Sequence, residues 1–501
     1  MFLDTFKRQA GKFYSKQSLS RAGILLILLL AAVPAFAHIP LANAAKPQPP
    51  PTTTSTNWAK TYFPQGDTYG ASVAKSVSQI SSGGYLVGMF CDASSCNGGA
   101  GVMRVDSSGN IQSQTQYEFT NYPFSTTIEL AIPTSDGGSL FTGNMQFGCP
   151  AQGQSSCALI VKVDSKGNIQ WSNDLEFGTT CTSGPFAWPL DAHQTSDGGY
   201  VLTGYSYTPT CSAYGAFVVK LSTTGQLQWQ RLFTDPTGQG SIAEAIHQTS
   251  DGGYAVAGET YTYVNDSYTE TQPLAFKLDS TGSIVWQHVY SLGVDTYAQT
   301  MALTNDGGLI IGGTVDIPAG TSYSSPIFLL KLDSAGNPQF AKTYLPTGSI
   351  SELTITAAQQ TSDGGYAFSG YYFQNTVYDQ RAFIVKTDPN GNVQWDKIYG
   401  ADVEYSDRGF NSFQQTSDGG YVAAGFTNQF SGGGSNVLWL VKTDSNGNIS
   451  GCSDIHSDSS TTSSLTVNVS KSNLSAAKDT FSYVAEALAV YTGPLAATKE
   501  C

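Results

Sequence analysis

His193 and His247 occupy matching places in two similar segments, LDAHQTSDGGY and EAIHQTSDGGY, and Asp191 stands two residues before the first histidine. Two imidazoles and a carboxylate are ligand types of a zinc site, so these three residues are candidate metal ligands if neighbouring strands carry them side by side. The plainer alternative is that repeat equivalence alone brings two imidazoles together as channel lining. Glu129 and Glu244 share another register with Lys75 and Gln299, one that can ring a channel mouth or simply be solvated lining. Neither GxSxG nor HExxH nor a comparable nucleophile-and-base constellation occurs, so no catalytic residue is assigned and no cofactor is expected.

Tyrosine is the second chemical resource, with 27 copies. The stretches YSYTPTCSAYG, TYTYVNDSYTETQP, TSYSS and YYFQNTVYDQR carry Tyr205, Tyr207, Tyr261, Tyr263, Tyr268, Tyr323, Tyr371, Tyr372 and Tyr378. An apolar ring with a polar tip suits sugar faces and protein partners. The same rings can also pack on one another to hold long loops down, and the sequence leaves both uses open.

What must position these side chains is a repeat. QTSDGGY occurs at 194–200, 248–254, 360–366 and 415–421, with weaker relatives QISSGGY, PTSDGGS and LTNDGGL. The first of the paired glycines falls at 83, 137, 198, 252, 307, 364 and 419, which makes seven units. A second element follows each, as in AFIVKTDPNGNVQW and LWLVKTDSNGNIS. Each unit reads as four strands: strand a, the SDGG corner, strand b, a looser loop, strand c, a DxxGN corner and strand d. Paired glycines after Asp supply the positive φ of tight hairpins, so QTSDGGY is expected to be a corner and not a ligand site. DSNGN and DPNGN distantly resemble a calcium loop, but the glycine comes too early and no Glu stands at the twelfth position. Every c strand carries a basic residue at one place, Arg104, Lys162, Lys220, Lys277, Lys331, Lys386 and Lys442. Its presence in all units predicts a structural role, either reaching a turn or pairing with a carboxylate; a ring of ligand-binding cations is the rival idea.

Four antiparallel strands repeated seven times predict an all-β fold, a seven-bladed β-propeller. The last unit stops after NGNIS with no strand d, and the missing piece stands at the front as NWAKTYF at 57–63, with Trp58 and Lys60 matching Trp395 and Lys397. The N-terminal strand is therefore expected to complete the last blade, closing a propeller over 57–451. A polar tail, 452–501, follows as an extended or short-stranded appendage against the ring.

Residues 1–44 read as an export signal, with Lys7, Arg8, Lys12, Lys16 and Arg21 ahead of GILLILLLAAVPAF and small residues suited to cleavage after Ala37 or Ala44. The alternative is a retained anchor, although the apolar run is short for a span; once the signal is removed no stable membrane span is expected. Residues 45–56, rich in Pro and Thr, form a linker. The eight cysteines suit an oxidising compartment, and their placement suggests Cys91 with Cys96, Cys149 with Cys157, Cys181 with Cys211, and Cys452 with Cys501 closing the tail. The net charge of −14 without a basic patch argues against nucleic acid as a partner.

The alternation of QTSDGGYxxxG with VKTDxxGNxxW resembles a widespread family of exported repeat proteins of bacteria and archaea, usually met as cell-surface proteins and regarded as β-propellers. The likeness covers 57–450; it implies fold and location and carries no activity. A more distant similarity joins the units to quinoprotein propellers, whose Gly-x-x-x-Trp stretch docks Trp between blades, as Gly391 with Trp395 and Gly167 with Trp171 would. Quinoproteins generally have eight blades and adjacent cysteines; seven units without adjacent cysteines speak against a quinone cofactor. The expected protein is a secreted or cell-surface module that holds a protein or glycan through its long, individual loops. The alternative is a glycan-active or redox propeller enzyme with its site at the channel mouth.

Overall fold

The computed structural model describes residues 57–499 apart from 65–70, 92–98, 120–125, 147–155, 178–185, 208–212, 235–238, 265–266, 293–294, 320–321, 349, 375–378, 401–403, 430–434, 472–474, 478–480, 486–487 and 492–494. The signal segment and linker expected over 1–56 lie outside the described residues. No helix among the described residues is long and apolar enough to cross a membrane.

Seven antiparallel sheets form the ring of a seven-bladed β-propeller. Blade 1 runs Ser72–Gln79, Tyr85–Cys91, Gly99–Val105 and Ile111–Phe119 as strands a to d. Blades 2 to 6 begin with the a strands Thr126–Pro133, Ala187–Gln194, Gly240–Gln248, Thr296–Leu303 and Ile350–Gln360. Blade 7 takes its first three strands, Arg408–Gln415, Tyr421–Thr427 and Val437–Thr443, from the end of the repeats and its fourth, Trp58–Pro64, from the front of the chain. The latch register pairs Trp58 with Lys442 and Lys60 with Leu440. The a strands of consecutive blades touch all the way round the axis. Seven apolar clusters fill the seven gaps between blades, so each sheet buries both faces against its neighbours.

Every residue of QTSDGGY has a local duty. In blade 3, Thr195 N donates to Gly199 O and Gly198 N to Thr195 O, both at 2.8 Å. Asp197 Oδ1 accepts from the Thr195 hydroxyl at 2.5 Å and from Gly199 N at 2.9 Å. Gly198 sits at φ +79°, where a residue with Cβ is strained, and a Cβ on Gly199 would lie 2.3 Å from Leu221 O. The leading Gln stitches blades together: Gln194 Oε1 accepts from Ser135 N of blade 2 at 2.7 Å, and Gln79 Oε1 accepts from Ser417 N across the closure at 2.8 Å.

The basic residue of strand c belongs to this corner. Lys162, Lys220, Lys331, Lys386 and Lys442 reach the Asp of their own SDGG turn at 2.8 to 2.9 Å, and Lys277 does so at 2.5 Å. Blade 1 has Ser82 where the others have Asp, and there Arg104 turns to the neighbouring corner, donating to Gly137 O and Gly138 O at 3.0 Å. Strand d supplies the seal between blades. Trp58 Nε1 donates to Ser107 O at 3.0 Å while its ring covers Gly109, and Tyr62 donates to Gly109 O at 2.7 Å. Trp171, Trp229, Trp286 and Trp395 cover Gly225, Gly282, Gly336 and Gly447 of the next blade in the same way.

The tail lies against the ring as short strands. It adds a fifth strand to all seven sheets: Ile455–Ser457 on blade 6, Thr461–Ser464 on blade 5, Asn468–Lys471 on blade 4, Ser475–Ala477 on blade 3, Phe481–Ala485 on blade 2, Leu488–Tyr491 on blade 1 and Leu495–Lys499 on the latch strand of blade 7. None of the described cysteines is free, and Cys91, Cys157 and Cys452 are disulfide-bonded. Cys96, Cys149, Cys181, Cys211 and Cys501 lie outside the described residues.

Candidate functional site

The two ends of the ring differ in what they leave available. At the SDGG and DxxGN end, turn residues are committed to corners, ion pairs and blade-to-blade bonds. Chemistry has to be sought toward the b–c loops, where the repeats diverge.

Each a strand slips register at one shared level, and that of blade 6 slips a second time between Ser351 and Thr354. The residues skipped at the shared level are Lys75, Glu129, Leu190, Glu244, Gln299, Thr356 and Asn411, one per blade around the axis. A bulge re-aims its side chain, which explains how a strand otherwise packed on both faces offers polar groups here. Lys75 and Glu129 approach to 3.6 Å across the gap between blades 1 and 2. Glu244 is different. Its Oε2 is buried and meets no hydrogen-bond partner among the described residues. Burial first, and then the charge of Glu259, hold the Glu244 carboxyl well above the usual range.

Glu259 lies in strand b of the same blade, paired with Ile242. Burial, followed by the charge of Asp295, pushes it up to about 8. On the other side stands Tyr205, its phenol raised first by burial and then by Tyr214, Glu244, Glu129 and Tyr207. Two carboxyl groups whose protons are held more tightly than usual, Glu244 and Glu259, thus sit in one neighbourhood with a phenol, across blades 3 and 4. When protonated, a carboxyl offers a donor as well as an acceptor and carries no charge.

Tyr205 also opens an aromatic cluster. Phe186 lies 5.5 Å from Tyr205 and 5.2 Å from Tyr207, ring centre to ring centre, and Tyr207 stacks on Tyr214 at 5.1 Å. Tyr214 reaches Tyr261 at 6.4 Å, and the Tyr261 hydroxyl accepts from Tyr214 N at 3.2 Å. The Tyr205, Tyr207 and Tyr261 rings therefore pack together. Tyr371 is half-buried against Phe426, 6.2 Å away, and Tyr372 is buried. The side chains of Tyr263, Tyr268 and Tyr323, and the whole of Tyr378, lie outside the described residues.

His193 and His247 do come together, with ring centres 4.3 Å apart and planes at 35°. Asp191 lies beside them, Oδ1 to His193 Nε2 at 3.3 Å. Its Oδ2 accepts from Ile246 N of the next blade at 2.7 Å, the same a-strand link that Ser412 makes to Val77 N at 2.6 Å. His247 Nε2 meets Met301 O at 3.2 Å. The trio thus forms a packed, hydrogen-bonded contact between blades. Among the described residues no group of three or more His, Cys, Asp or Glu is placed to hold a metal ion.

Glu259, Phe186 and Tyr214 were not among the residues singled out from sequence. Glu259 had a signal. It follows the Gly of GGYxxxG, a register that holds Phe90, Asn144, Tyr205, Thr314, Tyr371 and Phe426 in the other units. A carboxyl group in a neutral or aromatic register is an anomaly a repeat alignment exposes.

No protein-family model matches the chain. No curated protein matches it. Among solved structures it is similar to the polysaccharide lyase Uly1, at TM-score 0.46 and 9% identity over 74% of this chain and 90% of that one. It also aligns with MPT-4, a mannose phosphorylase from Leishmania mexicana, at TM-score 0.29 and 9% identity over 51% of this chain and 83% of that one. A third, the fructofuranosidase from Schwanniomyces occidentalis, gives TM-score 0.26 and 9% identity over 83% and 99%. Likenesses this distant describe the course of the chain at most and carry no chemistry over to Glu244 or Glu259.

Proposed function

We propose that this protein is an exported surface module that holds a glycan at the loop end of its axis, between Tyr205, Glu244 and Glu259. The observation that supports this most is the Glu244 carboxyl, buried without a hydrogen-bond partner on Oε2 and beside Glu259, whose proton is held to about pH 8. An uncharged carboxyl with spare hydrogen-bonding capacity matches a sugar hydroxyl, and the neighbouring rings offer faces for sugar C–H groups. The export signal and the disulfide-bonded cysteines agree with a place outside the cytoplasm. A protein partner on the same face is the alternative ligand.

The test is a glycan array with the full-length chain, followed by titration calorimetry on the best ligand. Glu244→Leu and Tyr205→Ala should each weaken binding on the order of tenfold or more while the thermal transition remains cooperative. Absence of saturable glycan binding, or binding indifferent to both substitutions, would reject the reading. A second reading is favoured by Glu259 alone, since a carboxyl protonated near pH 8 is equipped to act as a general acid at a glycosidic oxygen. Chromatography of the bound glycan after incubation separates the two: shortened products that disappear in Glu259→Gln indicate catalysis, and an unchanged ligand indicates binding.

A further inference from the structure

The tail visits the blades in the order 6, 5, 4, 3, 2, 1 and 7, one strand at each, so it makes a complete circuit of the perimeter against the direction of the repeats. Its strands begin at 455, 461, 468, 475, 481, 488 and 495, steps of six or seven residues. An extended step of that length covers about 20 Å, one blade edge to the next. The circuit begins at Cys452, which packs, as Trp395 and Ile455 do, against the apolar cluster between blades 6 and 7. It ends where Lys499 pairs with Lys60 of the latch strand. Cys501 follows Lys499 by two residues in sequence, and Lys60 stands two residues from Trp58, whose neighbour across the sheet is Lys442 in the strand that leads to Cys452.

Cys452 is disulfide-bonded, and its partner is outside the described residues. Cys96, Cys149, Cys181 and Cys211 all belong to connections of blades 1 to 3, between Cys91 and Tyr214 in sequence. Cys501 alone belongs to the tail, two residues after the strand Leu495–Lys499 in sequence. We infer that Cys452 and Cys501 are joined, and that the tail is thereby a closed covalent hoop around the propeller. Formation of the bond is a two-electron oxidation of two thiols, releasing two protons, and requires a disulfide oxidant such as an exported dithiol oxidase or an oxidised small thiol.

The hoop acts at the weakest place of the ring. Blade 7 is the one sheet assembled from both ends of the repeats, and its Trp58–Pro64 strand is held between Val437–Thr443 and Leu495–Lys499. With the hoop closed, the latch strand cannot peel outward unless the tail strand over it leaves as well, and that strand is tethered on both sides. The bond therefore slows ring opening, a kinetic effect distinct from tying down a loose terminus.

Peptide mapping of the full chain without reductant should recover the peptide containing Cys452 linked to the one containing Cys501; a different partner for Cys452, or a free thiol at Cys501, overturns the inference. The hoop is then opened in two independent ways. One is the double variant Cys452→Ala, Cys501→Ala. The other is a protease site placed at 472–474, between tail strands, and cut after the native chain has folded, which keeps the test alive should the double variant fail to fold. Each opening should raise the unfolding rate in denaturant on the order of tenfold, and both together should do no more than either alone, because both open the same loop. Unchanged unfolding, or effects that multiply, would show that the tail is not a closed hoop.

Discussion

Gly307 and Gly308 stand side by side in the fifth corner and should respond differently to an added methyl group. Gly307 has φ +79° and open space, the nearest atom to a new Cβ being Ser334 Cβ at 3.7 Å, so Gly307→Ala meets only the left-handed penalty of about 1 to 2 kcal/mol. At Gly308 the new Cβ would lie 2.1 Å from Leu332 O and 2.7 Å from Lys331 Nζ, atoms that close the corner and its ion pair with Asp306. Gly308→Ala should lose about 3 kcal/mol or more, because the corner must open before the methyl fits. Urea denaturation of the two variants decides this; equal losses would mean that the corner yields to the methyl and that close approach is not what the second glycine serves. The same economy explains Arg104. Where Ser82 removes the carboxylate, a longer planar cation finds backbone oxygens on the next blade instead.

At the scale of elements, the latch strand is the seal on which closure depends. Trp58 is 2% exposed, packs edge-on to Tyr85 with ring centres 6.2 Å apart, and donates to Ser107 O. Trp58→Ala should cost about 3 to 5 kcal/mol. Trp229 makes the matching bond to Ser280 O at 3.1 Å but is only half-buried, so Trp229→Ala should cost distinctly less. Thermal unfolding of both variants checks the order, and the reverse order would argue that the seventh gap is an ordinary one. Four-stranded units, seven blades and the latch were legible because each element announces itself with turn glycines and a fixed period. The tail was legible as short strands against the ring, but its circuit of all seven blades was not, because segments of three or four residues such as TTSS, NVSK and SAA carry too little hydrophobic alternation to assign an edge. Of the site, the Lys75, Glu129, Glu244 and Gln299 register was legible by repeat alignment, whereas the bulge that re-aims it was not. The histidine neighbourhood was foreseen too, but Asp191 as a link to Ile246 N needed coordinates.

Across the whole molecule, two sets of carboxyl groups pull stability in opposite directions with pH. At the corners, partial burial raises Asp136 and Asp306, but bonds from Lys162 with Thr134, and from Lys331 with Thr304, outweigh it and hold both at about 2. Asp251 is brought to about 2 chiefly by Lys277. An unfolded Asp titrates near 3.8, so the contribution of these pairs is complete above that pH and is lost as pH falls toward 2. These carboxylates are half-exposed, which keeps each pair's share modest. Near the axis the sign reverses. Glu259 titrates near 4.5 when unfolded and at about 8 in the fold, and Glu244 is raised in the same sense, so between those values the native state keeps protons that the unfolded chain has given up. Each unit of pH in that window lowers stability by up to about 1.4 kcal/mol per group. The curve should therefore crest at about pH 4 to 5 and fall through about 8, where Glu259 gives up its proton in the fold as well. Glu259→Gln keeps the hydrogen-bonding shape without the titration, so the variant should gain on the native chain steadily from pH 5 to 8 while matching its loss below 4. Denaturation midpoints across pH 3 to 9 test this directly. Parallel curves for the two proteins would mean that Glu259 is ionised in the fold, and the uncharged sugar-binding pair built on it would fall at the same time.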